Sequence, residues 1–249
     1  MTNGQGSFAA SLCVLASLCT VASARTPLDF LEVVAVTPSR VIEHEVDLKG
    51  PFDNDTVETF LEGPQLFSHA VGFGGKAVEE QNTFLNWYKI AKPATESQRT
   101  LSVRDSLRGN EAYQITIEKS EFLLSPAQRV TSGPPGRIPA GLNYFKAYKI
   151  VGGPQIDQKV KLSGTFGPED RMATKATFLC VPVEKSHHDE RFPIKNPKAC
   201  MLVYELLPQK CKVRITTIDL FGLNKMKARS GKWLCVPAQI VERTPADNE

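Results

Sequence analysis

The sequence predicts an all-β protein made of four degenerate units of about 55 residues, each holding three strands. Three observations carry this. One frame of five features recurs along the chain. Its segments alternate polar and apolar residues at period two. Capped helical spacing is missing from every window of about a dozen residues, except for a short stretch near Glu79–Trp87.

Unit one covers residues 28–71 and reads LDFLEVVAVTPSRVIEHEVDLKGPF, then VETFLEGPQLFSHAV. Pro38 marks its first turn, and Ile42, Val46 and Leu48 alternate with Glu43, Glu45 and Asp47. Unit two covers 85–127: Tyr88-Lys89-Ile90 precedes Pro93, and Phe122-Leu123-Leu124-Ser125-Pro126 closes it. Unit three opens near Leu142 with an aromatic-rich strand ending in Tyr148-Lys149-Ile150. Pro154 follows, then a strand ending in Phe166-Gly167, then Phe178-Leu179-Cys180-Val181-Pro182. Unit four repeats this from Ala199: Tyr204-Glu205-Leu206, Pro208, Phe221-Gly222, and Trp233-Leu234-Cys235-Val236-Pro237. The turn prolines lie 55, 61 and 54 residues apart, and the closing aromatics 56 and 55 apart.

Three strands bury a face poorly alone, so the units are expected to pair, two to a domain, as β-sandwiches or barrels. A propeller is set aside because its blades need four strands. The Pro/Gly-rich stretch Thr131–Pro139 reads as the linker. The expected organisation is a signal peptide at 1–24, a β domain at 25–133 and a second at 134–249.

Residues 1–24 hold no Lys, Arg, Asp or Glu, run apolar from Phe8 to Val21, and end on Ala22-Ser23-Ala24. This reads as a secretory leader cut after Ala24, which places the mature chain outside the cytoplasm, secreted or periplasmic. A lipoprotein leader with Cys19 lipidated is the rival reading. After the leader no segment is long and apolar enough to span a membrane as a helix. Cys180, Cys200, Cys211 and Cys235 then remain. In an oxidising compartment they are disulfide candidates, with three connectivities open; free thiols or zinc are the alternatives.

The closing motif resembles an uncharacterised repeat domain of secreted bacterial proteins. Units of that domain run Tyr-Lys-Cys-Tyr-Lys-Val, then a Phe-Gly strand, then Leu-Leu-Cys-x-Pro. Lys146, Tyr148 and Lys149 fit the first motif, with Ala147 and Val203 in place of its cysteine. Cys180 and Cys235 match the second cysteine, and Cys200 and Cys211 look like relocated partners. The resemblance implies the fold and export. It implies no activity, ligand or cofactor.

No nucleotide loop, nucleophile elbow or metal-ligand motif is complete. Gly72–Lys76 lacks the phosphate-loop spacing, and the segment His187-His188-Asp189-Glu190 reads as a polar loop between units. His44 and His69 read as ordinary strand residues. Trp87, Tyr88, Tyr144, Phe145, Tyr148 and Tyr204 recur in first strands, where shared core outweighs an exposed sugar-binding platform.

Charge is the informative feature. The net +3 hides 4 basic against 11 acidic residues over 25–80, and 19 against 11 over 134–249. Lys210, Lys212, Arg214, Lys225, Lys227, Arg229 and Lys232 fall on two adjacent strand segments of unit four. If those strands pair, alternate residues share a face and form an anion-binding patch. The expected function is a non-enzymatic structural or adhesive interaction module without cofactor. The alternative is a carbohydrate or polyanion binder using unit four. The expected partners are an extracellular protein, an acidic glycan, or a second copy docked acidic unit to basic half. The weak net charge gives no reason to expect nucleic acid.

Overall fold

Alternating sequence between turn residues produces three strands in every unit. Unit one forms β1 (Phe30–Pro38), β2 (His44–Lys49) and β3 (Val57–Phe73). Unit two forms β4 (Phe84–Ile90), β5 (Arg99–Asp105) and β6 (Tyr113–Arg129). Unit three forms β7 (Tyr144–Gly152), β8 (Gln155–Gly164) and β9 (Gly167–His187), and the short β10 (Glu190–Phe192) pairs back on β9. Unit four forms β11 (Cys200–Lys210), β12 (Arg214–Asp219) and β13 (Gly222–Arg243). The computed structural model describes residues 28–93, 96–109, 111–133, 135–164 and 167–243, so the expected leader at 1–24 lies outside the described residues.

The glycine of the Phe-Gly motif opens the third strand in units three and four. Gly167 and Gly222 hold φ of 99° and 108°, a region where a Cβ is strained. The third strand is long because it has two jobs. Its first half pairs with the second strand of its own unit; its second half pairs with first strands. First strands and the second halves of third strands then form a closed ring. The order is β1–β3–β4–β6–β7–β9–β11–β13 and back to β1, antiparallel throughout.

One buried cluster draws on all eight ring strands, which identifies it as the interior. Register aligns the units. Leu31, Leu85, Phe145 and Met201 hold one level; Val33, Trp87, Ala147 and Val203 hold the next. Trp87 is the one large side chain at its level, and its indole nitrogen donates to Ser68 Oγ at 3.0 Å. The closing aromatics meet edge to face above it: Trp87–Phe122 at 6.0 Å, Phe122–Phe178 at 5.7 Å and Phe178–Trp233 at 6.2 Å. The repeated motif is therefore a description of the ring interior. Trp87, Tyr88, Phe145, Tyr148 and Tyr204 are all buried, as the core reading requires.

The second strands lie outside the ring. With the start of its third strand, each makes a hairpin that folds over a neighbouring unit. Val46, Leu48 and Leu61 pack on Tyr88, Ile90 and Leu123. Ile215, Met226 and Ala228 pack on Val34, Val36 and Phe67. Each second strand also pairs with the third strand of the unit two along: β2 with β9, β5 with β13, β8 with β3, and β12 with β6.

Six ladders thus cross the expected division after residue 133, and the two halves share one sheet. Alternation shows which residues face a core but not which strand is the partner.

The disulfide expectation is corrected. None of Cys180, Cys200, Cys211 and Cys235 forms a disulfide. Register explains it: Cys180 stands opposite Met201 and Ala147, Cys235 opposite Val203 and Leu31, Cys200 opposite Ala238. Cys180 and Cys235 flank β11, two strand spacings apart across the sheet and two residues out of step along it, beyond the reach of a disulfide. Burial pushes both thiols well up.

Candidate anion-binding groove in unit four

The basic residues of unit four meet because β12 and β13 pair. Arg214 stands directly opposite Lys227, and Thr216 opposite Lys225. Beyond the hairpin the segment after β11 continues along β13: Cys211 N–H donates to Arg229 O at 3.0 Å and Ala228 N–H to Val213 O at 2.8 Å. Met226 and Ala228 point inward, which sends Lys225, Lys227 and Arg229 outward together.

The result is a groove of about 550 Å³ lined by Lys210, Lys212, Arg214, Lys227 and Arg229 over Cys211, Val213 and Ala228. A smaller recess of about 300 Å³ continues it toward Lys225, Thr37 and Ser39. No carboxylate lines either recess. Among the described ion pairs, none includes any of the seven predicted cations.

Six of the seven predicted residues are therefore brought together. Lys232 is not: it lies along Trp233, with Nζ 5.3 Å from the ring centroid. Sequence reasoning missed Thr37 and Ser39, which come from unit one. Arg229 donates to Thr37 Oγ1 at 2.6 Å, and Ser39 N–H donates to Lys225 O at 2.8 Å. No local pattern signals a contact 192 residues apart in sequence.

The arrangement costs stability, because like charges directly opposite on paired strands repel. An anion seated between them converts that repulsion into attraction. Cys211 adds no reactivity. Burial, then the Glu32 and Glu169 carboxylates, hold its thiol above the usual range, so it stays protonated.

A second polar cluster forms where the unit-four turn meets β9. Lys185 is fully buried, and its Nζ lies 4.6 to 5.1 Å from the rings of Tyr144, Phe192 and Phe221 without a hydrogen-bond partner. Burial pushes its amine down to about 8, against the Asp219 and Glu190 charges. His44 stacks on Phe221 at 4.6 Å, and His187 meets the same ring edge-on at 5.5 Å. Burial lowers both imidazoles.

These contacts correct two expectations. His187 lies at the end of β9 and bonds Glu45 O at 3.0 Å, so only the rest of the segment at 187–190 reads as an exposed turn and edge. His69 also has a partner: its Nε2 lies 3.5 Å from buried Glu32, which pairs with Arg171. No group of three or more His, Cys, Asp or Glu among the described residues is arranged to hold a metal.

Comparison with known proteins agrees with the internal repeat. Residues 84–237 match the family described as Repeat of unknown function (DUF7450), which spans units two to four. No curated protein and no solved structure matches the chain. The match covers more than half of the sequence, and the chain belongs to this repeat family.

Proposed function

We propose that the protein is a non-enzymatic interaction module, exported from the cytoplasm, that holds an anionic partner in the groove of unit four. The single observation behind this is the groove: five exposed cations around about 550 Å³ with no carboxylate in the wall. The chemistry suits sulfate, carboxylate or phosphate groups repeated along a polymer, as on an acidic glycan. Arg supplies forked donors and Lys supplies point charge. The apolar floor at Val213 and Ala228 suits the uncharged backbone between such groups.

The test is binding of a fluorescent heparin oligosaccharide followed by anisotropy across a salt series. Saturable binding that weakens steeply with salt is expected, and Lys225→Glu plus Lys227→Glu should reduce it at least tenfold. Absent binding, or binding indifferent to that double change, would overturn the reading.

A second copy of the chain is a second candidate anion. Its unit-one hairpin places Asp47 directly opposite Glu58, both exposed, with Glu45 beside them. The Glu45 hydrogen bond and charge, with Asp47, hold the Glu58 carboxyl above its ordinary value. This acidic hairpin complements the basic one, and such a contact is heterologous, able to build chains.

A further inference from the structure

The repeats themselves point to a second site. Tyr88, Tyr148 and Tyr204 hold one position of the frame, on the outer face of the ring. Two of them are satisfied in the same way. Tyr88 donates to Asp219 at 2.7 Å and Tyr204 to Asp105 at 2.9 Å. Each aspartate ends the second strand of the unit two along and also accepts turn amides: Phe221 N–H for Asp219, Leu107 and Arg108 N–H for Asp105.

Unit three departs from this pattern. Asp53, in the corresponding turn after β2, accepts Gly50 N–H at 2.7 Å. Its carboxylate is engaged by Lys146, with Nζ at 3.0 Å from both oxygens, and Lys146 also reaches Glu96 at 3.1 Å. Lys146 stands where units two and four carry Asn86 and Leu202. The Tyr148 hydroxyl is left without a hydrogen-bond partner although the residue is only 1% exposed. Tyr148 lines a cavity of about 320 Å³ whose wall also includes Phe52, Asp53, Glu96, Arg99 and Glu118, together with the exposed Asp55.

The charge balance defines the ligand. Four carboxylates line the cavity against one lining cation, Arg99, and Lys146 behind the wall. The excess is negative. Phe52 and Tyr148 meet edge to face at 5.2 Å, and the wall already seats cations on these rings: Arg99 lies 5.8 Å from the Phe52 centroid and Lys146 Nζ 5.3 Å from that of Tyr148. Burial, then Glu96 and Asp53, keep the Tyr148 phenol neutral, so its oxygen remains an acceptor.

We propose that this cavity binds an organic cation, an ammonium or guanidinium group, through Tyr148, Glu96 and the rim carboxylate Asp55. The site is independent of the unit-four groove. Its ligand is either a free small amine or the side chain of a basic residue on a partner, and the chemistry at the wall is the same for both.

The experiment is isothermal titration of the full chain with agmatine and, separately, with a capped Gly-Arg-Gly tripeptide. Saturable binding of at least one is expected. Tighter binding of agmatine assigns the free amine; tighter binding of the tripeptide assigns the partner side chain. Tyr148→Phe should weaken binding about tenfold, the worth of one hydrogen bond, while the thermal midpoint holds or rises because a buried unpaired hydroxyl is gone. Asp55→Asn, at the exposed rim, should weaken it several-fold. Lys225→Glu plus Lys227→Glu should leave it unchanged. The proposal is overturned if neither probe saturates, if a neutral sugar competes equally, or if Tyr148→Phe leaves the affinity alone.

Discussion

The ring interior and the hairpins outside it are built from the same repeats, yet they have diverged in opposite degrees. Inside, every unit contributes apolar side chains at matching levels, and one indole is accommodated by Val33, Ala147 and Val203 at the equivalent places. Outside, no two hairpins agree. Unit one places Asp47 opposite Glu58; unit four places Arg214 opposite Lys227. The difference follows from packing. A closed interior near crystal density constrains all four units together, whereas each hairpin face answers only to solvent and to whatever it binds.

The largest expected effect tests the interior. Trp87→Ala removes the indole at the centre of the ring and orphans the Ser68 hydroxyl, and should cost about 3–5 kcal/mol in urea denaturation. Phe60→Ala, on the unit-one hairpin and 42% exposed, should cost less than about 1 kcal/mol. Comparable losses at the two sites would break the distinction between ring and shell.

The same distinction explains how much was legible in the sequence. The Leu-Cys-Val-Pro motif and the turn prolines betrayed four units because the interior repeats its demands at each turn of the ring. The basic groove was legible because β12 and β13 are adjacent in sequence and alternate cleanly. The two-domain division failed because ladders such as β1–β13 join residues at opposite ends of the chain. The Tyr148 cavity was invisible for a related reason. Its wall combines the β2–β3 turn, the segment before β5, and β7, and Lys146 meets Asp53 across 93 residues. The cysteines misled because the motif they belong to packs the ring interior, where Cys180 and Cys235 serve as small apolar side chains.

A middle-sized effect probes the junction between ring and shell. Lys185 is charged at neutral pH in a cage of three rings, and burial lowers its amine to about 8 from 10.5. Below pH 8 both folded and unfolded chains carry the proton, and the burial cost is present in full. Between pH 8 and 10.5 the folded chain releases it first, so the cost falls as pH rises. Lys185→Met should therefore stabilise the protein by about 1 kcal/mol at pH 7, with the advantage shrinking by pH 10. A variant less stable at pH 7 would show that the three rings hold the ammonium better than water does.

The smallest effect bears directly on the two charged hairpins. Lys227→Glu places a carboxylate opposite Arg214 and turns a repulsive cross-strand pair into an attractive one. The thermal midpoint should rise slightly, by the equivalent of roughly 0.5 kcal/mol. Glu58→Lys should do the same opposite Asp47 in unit one. Added salt screens exposed pairs, so it should raise the wild-type midpoint toward that of either variant and shrink the gain. A residue whose replacement improves the fold while weakening heparin binding is retained for its ligand rather than for its hairpin. If Lys227→Glu instead lowers the midpoint, the cations are part of the hairpin's own stability, and the groove loses its strongest argument. Light scattering separates the remaining roles of the two hairpins. Salt-sensitive association that either charge inversion abolishes, and that the combined inversion restores, would make each hairpin the other's partner.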